Sequence, residues 1–191
     1  MRTIYVDMDG VVADCNRTTA EAYGIPYDPA GEHNWGWVTL KYNELHPDAP
    51  ITHGDFTRLT NRVPGFWAKI PFYPWSQDLV NALDFRVCVT GDVNWRFLTK
   101  CVDHSHCPAG KFATLVRNFG LQTAKRAIMV WDRKQDCCKP GDLLIDDDER
   151  NRVAWREAGG YTYNWRAIGP CHPEGFLQAQ DCIRWCLENI K

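Results

Sequence analysis

No stretch of the chain approaches the roughly 18 uninterrupted apolar residues of a membrane-spanning helix, so a soluble body is expected. Neither sign of charge is in excess: 22 Lys and Arg stand against 24 Asp and Glu, a net of -2. That excludes the global basic field by which proteins hold long nucleic acid, and leaves a small anionic molecule as the fitting partner. Internal repeats and low-complexity tracts are absent. The opening residues Arg2-Thr3-Ile4-Tyr5-Val6-Asp7 lack the apolar stretch of a secretory signal, so the expected location is the cytoplasm. In that reducing setting the nine cysteines, an odd number, read as free thiols rather than disulfides.

What is present is globular. Hydrophobic residues make up 45% of the 191 and charged residues 24%, enough for one substantial core and a small insertion. Short apolar runs recur at Ile4-Tyr5-Val6, Phe85-Arg86-Val87-Cys88-Val89, Ala127 to Trp131, Leu143-Leu144-Ile145 and Tyr161-Thr162-Tyr163. They read as buried parallel strands. Helical patterns fit near residues 15–23, 76–83, 94–101, 110–119, 150–158 and 174–190. The alternation predicts an α/β fold, a Rossmann-like parallel sheet with flanking helices. The stretch from Asp14 to Pro74 breaks the rhythm, being weakly periodic and rich in Pro, Gly and Trp. It is read as a small helical cap inserted after the first strand, spanning 15–74, with 1–14 and 75–191 forming the core. Two prolines in Ile70-Pro71-Phe72-Tyr73-Pro74 mark the return. In the last helix, Phe176, Ile183, Trp185, Cys186, Leu187 and Ile190 form a stripe read as core packing.

Ligands of a parallel α/β sheet bind beyond the carboxyl ends of its strands, so the residues just after each apolar run carry the information. Asp7 and Asp9 come after the first, Thr90-Gly91-Asp92 after the second, Asp132-Arg133-Lys134 after the third and Asp146-Asp147-Asp148 after the fourth. Clustered carboxylates repel and raise one another's pKa, which implies a bound hard cation with oxygen ligands, and Mg2+ is the natural candidate. A lysine and a threonine hydroxyl suit phosphate oxygens. Together these parts describe phosphoryl transfer. A calcium loop of the EF-hand kind does not fit, because Gly10 is the fourth residue of Asp7-Met8-Asp9-Gly10 and a β run precedes it.

These residues resemble the haloacid dehalogenase superfamily: Asp7-Met8-Asp9-Gly10-Val11 is similar to its first motif, Thr90 to its second and Leu144-Ile145-Asp146-Asp147 to its fourth. More narrowly, the chain resembles the 5'(3')-deoxyribonucleotidases. That likeness runs through Asp7 to Asp14, Pro64-Gly65-Phe66-Trp67 to Pro74, Cys107 to Phe112, and Asp142 to Asp147. The resemblance implies that Asp7 attacks phosphorus to form an aspartyl-phosphate, and that Asp9 protonates the leaving oxygen and then activates water. It implies Mg2+ held by Asp7, the main-chain carbonyl of Asp9 and Asp147, with Asp146 in the immediate shell. Thr90 and the Gly91 amide would bind phosphate oxygens. Lys134, with Arg133 beside it as a second phosphate or substrate contact, is the choice for the third-motif lysine, and Lys111 is its rival. The chain departs from the family at Gly91, where a small polar residue is usual, and at Asp148-Glu149, where the nucleotidases tend to Arg-Pro.

Within the inserted segment, Trp35, Trp37 and Phe66 lie next to glycine and are candidates for stacking on a nucleotide base. The run Cys101-Val102-Asp103-His104-Ser105-His106-Cys107 raises a structural zinc site, but its spacing matches no standard zinc pattern. The expected function is therefore Mg2+-dependent hydrolysis of (deoxy)nucleoside monophosphates. A sugar phosphate or a polynucleotide 3'-phosphate as substrate, and a non-catalytic nucleotide-binding module, are the alternatives. No membrane partner is expected, and monomer or homodimer stays open.

Overall fold

In the first strand, β1 (Arg2–Val6), side chains alternate: Ile4 and Val6 enter one apolar cluster while Tyr5 enters another on the opposite face. A strand buried on both faces belongs inside a sheet, and β1 is the middle strand of five in the computed structural model, which describes residues 2–34, 36–91 and 93–189. The others are β2 (Val93–Lys100), β3 (Ile128–Val130), β4 (Leu143–Asp146) and β5 (Tyr161–Asn164). All pairings are parallel and the spatial order is β3-β2-β1-β4-β5. The α/β architecture expected from the alternating runs is the one observed.

Eight helices accompany the sheet among the described residues. The first four lie in the segment after β1: α1 (Cys15–Tyr23), α2 (Trp37–Leu45), α3 (His53–Thr60) and α4 (Phe66–Lys69). Then come α5 (Ser76–Thr90), α6 (His106–Ala124), α7 (Glu149–Glu157) and α8 (Gly175–Asn189). The Asp14 carboxylate accepts from the Arg17 N–H and so caps α1. Ala20, Ile25 and Val38 form a small core of their own between α1 and α2. Where the chain leaves β1 and where it returns before α5, the two segments are joined: the Asp14 N–H donates to the Pro71 carbonyl at 2.8 Å and the Tyr73 N–H to that of Val12 at 3.0 Å. No helix among the described residues is long and apolar enough to cross a membrane.

Two neighbouring elements exchange types relative to expectation. Phe85 to Val89 is not a strand but the last turns of α5, and residues 94–101 are not a helix but lie mostly in β2. In α5 the residues facing the core are Leu79, Val80, Leu83 and Val87, at i, i+1, i+4 and i+8, which is helical spacing. Phe85 and Val89 point to solvent, 70% and 62% exposed. Gly91 then ends the helix in the left-handed region at φ 65°, its N–H returning to the Val87 carbonyl. In β2, Val93, Trp95, Phe97 and Leu98 are all buried, and the strand pairs with β1 from Arg2↔Val93 to Val6↔Phe97. In α8 the buried positions are Gly175, Ala179, Cys182 and Cys186, small residues along one face. Phe176 and Leu187, expected inside, are exposed, and Ile190 lies outside the described residues.

Candidate active site

The register of the sheet fixes which residues meet at its carboxyl edge. Val6 pairs with Ile145, and the Asp7 N–H continues the ladder to the Ile145 carbonyl at 2.9 Å, so Asp7 and Asp146 emerge side by side. Beyond Asp7 the chain turns sharply, with the Val12 and Ala13 N–H groups both donating to the Met8 carbonyl. Gly10 sits in this turn at φ +76°, and a Cβ there would lie 2.3 Å from Asp147 Oδ2. Only glycine lets the turn press against that carboxylate.

Asp7, Asp146 and Asp147 bring carboxylate oxygens within 4.8 Å of one another. Lys134, buried on a 3-10 turn (Lys134–Cys137), reaches Asp7 Oδ1 and Asp146 Oδ2, each at 2.7 Å. Asn151 donates to both oxygens of Asp146 at 3.2 Å, and the buried Arg152 guanidinium holds the Asp146 carbonyl at 2.6 Å. Among the described residues no hydrogen bond reaches the Asp147 carboxylate. Burial pushes Asp7 up to about 7, against the pull of Lys134 and with the help of Asp146 and Asp9. Burial, then Asp146 and Asp7, also hold Asp147 well above the usual carboxylate range. Burial on its own would lower Lys134, but Asp146 and Asp7 outweigh it and keep the ammonium charged.

A second charged pair lies alongside. Lys111, buried in α6, donates to Asp9 Oδ2 at 2.5 Å, Thr99 Oγ1 at 2.9 Å and the Lys100 carbonyl at 2.7 Å, and stands 5.4 Å from the centre of the Trp67 ring. An ammonium has three donors, and all three are spent within the protein. Lys134 spends two, which keeps one for a ligand. Asp9 Oδ1 is buried with no partner. Four carboxylates face two ammonium groups, so their full ionisation would leave two negative charges uncompensated, on oxygen donors. That set fits a hard divalent cation, with Asp7 and Asp147 as its carboxylate ligands.

The site is the floor of a cavity of about 740 Å³, a size suited to a small organic ligand. Asp7, Asp9, Asp147, Lys111 and Lys134 all line it, as do Phe66 and, at its mouth, Arg133. Arg133 is exposed and pairs with Asp136 at 3.3 Å. Trp37 does not line the cavity. Its ring packs 4.4 Å from His33 and 6.0 Å from Tyr27, inside the small core beside α1 and α2, so its stacking capacity is used there. Trp35 lies outside the described residues. Thr90 and Gly91 close α5 just before Val93, which pairs with Arg2 at the start of β1, so they stand at the edge of the sheet opposite Asp7. The hydroxyl at the carboxyl end of the second strand is Thr99, fully buried two residues past the Val6↔Phe97 pairing. Thr99 and Asn151 are absent from the residues expected on sequence grounds. The run Phe97-Leu98-Thr99 carries the same apolar-then-hydroxyl signal as Val87 to Thr90, and pairing with β1 is what separates them.

No protein-family model matches the chain. Among solved structures, a hydrolase of the haloacid dehalogenase-like family from Xanthomonas campestris aligns with 100% of this chain and 95% of its own at a TM-score of 0.50 and 14% identity. A HAD family hydrolase from Deinococcus radiodurans R1, with bound phosphate and sodium, aligns with 94% of this chain and 88% of its own, at 12% identity and a TM-score of 0.49. A hydrolase from Streptococcus pneumoniae TIGR4 aligns with 94% of this chain and 98% of its own, at 14% identity and 0.49. At such identities the likeness concerns the fold alone: the five-stranded parallel sheet with flanking helices is the fold of the haloacid dehalogenase-like Xanthomonas protein.

Proposed function

We propose that this protein is a Mg2+-dependent phosphomonoesterase in which Asp7 is the nucleophile. The observation that carries the reading is the contact of Lys134 with both Asp7 and Asp146, with Asp147 close by, on the floor of a ligand-sized cavity. Mg2+ held by Asp7, the main-chain carbonyl of Asp9 and Asp147, with Asp146 adjoining, would neutralise the charge of the phosphate oxygens. Asp7 attacks phosphorus, forming an acyl-phosphate bond while the bond to the leaving oxygen breaks. Asp9 supplies that oxygen with a proton. In the second step Asp9 takes a proton from water, which attacks the same phosphorus and releases Asp7 and inorganic phosphate. Because Lys111 occupies Oδ2 of Asp9, the unpartnered Oδ1 is the atom that carries the proton. The Thr99 hydroxyl accepts from Lys111 and so keeps its own hydrogen for a phosphate oxygen, the role expected of Thr90. The remaining donor of Lys134 serves another oxygen.

For substrate we infer a (deoxy)nucleoside monophosphate. The size of the cavity and the buried ring of Phe66 in its wall favour a ligand with a flat base, and the run from Asp7 to Asp14 resembles the deoxyribonucleotidases. The segment 15–74 is the cap in this reading, since Val38 and His53 from α2 and α3 form part of the wall. The test is phosphate release with Mg2+ across ribo- and deoxyribonucleoside 5'- and 3'-monophosphates and several sugar phosphates. Turnover of sugar phosphates alone would remove the nucleotide reading, and turnover of none would remove the phosphatase.

A further inference from the structure

Tryptophan placement among the described residues obeys a rule with one exception. Trp67, Trp75, Trp95, Trp155 and Trp165 are buried, and each indole N–H has an acceptor. Trp37 and Trp185 are half-buried and packed against other rings. Trp131 is 57% exposed, and among the described residues its ring has no aromatic neighbour and its N–H no acceptor. Isolated exposed apolar residues are common on protein surfaces, but this one lines the rim of the active-site cavity. It comes directly after the last residue of β3, Val130, whose carbonyl accepts the Cys101 N–H at 2.7 Å, so its backbone is anchored to the sheet. Three residues later comes Lys134, which contacts Asp7. Three residues of chain span at most about 11 Å, so the backbone of Trp131 lies within that distance of the backbone of Lys134, and both residues line the same cavity.

We propose that Trp131 is a specificity-determining residue of this site, a platform on which the planar ring of a phosphomonoester's leaving group stacks. The proposal rests on the phosphatase reading and deepens it. A large flat indole with an open face is rewarded by a second flat ring and not by a short polyol, so the preferred esters are those of ring-bearing alcohols such as nucleosides.

The test compares kcat/KM for a purine nucleoside 5'-monophosphate and for glycerol phosphate in the Mg2+-loaded full chain, for the natural protein, Trp131→Ala and Trp131→Phe. The expected result is a fall of about tenfold in the nucleotide-to-glycerol phosphate ratio for Trp131→Ala, lying in KM, and largely restored in Trp131→Phe. An unchanged ratio in Trp131→Ala, or no restoration by phenylalanine, overturns the proposal. If the natural protein releases phosphate from neither ester, the phosphatase reading fails, and equilibrium binding of the same nucleotide decides about Trp131 separately. Binding at least tenfold weaker in Trp131→Ala supports the platform; equal binding, or none by the natural protein, overturns it.

Discussion

Thr99 Oγ1 accepts a hydrogen bond from Lys111 Nζ at 2.9 Å, tying the end of β2 to the first turns of α6 beside Asp9. The contact uses the oxygen of Thr99 as an acceptor, and in the proposed reading its hydrogen serves a phosphate oxygen. Thr99→Val is therefore expected to lower kcat by about tenfold to a hundredfold, the usual range for a lost donor to transition-state charge being somewhat larger. Thr90→Val, at the far edge of the sheet, is expected to leave kcat unchanged. Steady-state phosphate release by the two variants checks the pair, and a reversed ranking would return the phosphate-binding role to Thr90.

The same two threonines show where reading the residues reaches its limit. Asp7 and Asp146-Asp147 are legible because each comes after a short apolar run that is buried on both faces, and such runs are strands by length and composition. Phe85 to Val89 and Val93 to Lys100 are adjacent, similarly apolar and each closed near a threonine, and a run of that length does not reveal its period. What decides between them is pairing with β1, a contact across some ninety residues of chain. The rivalry of Lys111 and Lys134 has the same character. Both are buried at the site, and they differ in the carboxylates they hold and in the number of donors each has already spent. Trp37 and Phe66 both adjoin glycine in the inserted segment, yet one fills a small core and the other the cavity wall.

Asp7→Asn removes the attacking oxygen's charge without removing volume. Phosphate release is expected to fall by about a thousandfold or more, as for other nucleophile deletions. Thermal unfolding without Mg2+ should stay at the natural temperature or rise, because burial already penalises this carboxylate in its charged form. Full activity in the variant would sink the covalent step.

Lys134→Met deletes the one ammonium among the described residues that reaches both Asp7 and Asp146. Two buried carboxylates then lose their cationic partner, a change that costs about 3–5 kcal/mol. Denaturant unfolding in the presence of a chelator should show that loss, and added Mg2+ should recover part of it. Equal stability of the two proteins would mean that the cluster is stabilised by other means.

At Gly10, alanine meets two obstacles: a left-handed backbone at φ +76° and an Asp147 oxygen 2.3 Å from where its Cβ would sit. The backbone term alone is about 1–2 kcal/mol. The carboxylate must also move, so Mg2+ affinity measured by calorimetry is expected to fall by about tenfold or more, a typical consequence of disturbing what orients a ligand. An unaltered affinity would show that Asp147 does not need the turn.

The raised pKa of Asp7 gives the protein a pH signature that depends on the cation. Its ordinary value is 3.8 and its folded value about 7, so between these limits the folded protein binds a proton that the unfolded chain has released. The unfolded state then carries fewer protons, and the stability of the cation-free protein falls as pH rises through this window. Asp147, also raised, acts in the same direction. A divalent cation binds the deprotonated forms and competes with those protons, so its affinity climbs over the same range. The expected observation is a Tm increment on adding Mg2+ that is near zero at about pH 5 and exceeds about 5 °C at about pH 8. The measurement is a thermal melt with chelator and with Mg2+ at each pH. An increment independent of pH would mean that Asp7 and Asp147 are not the groups that take up the metal.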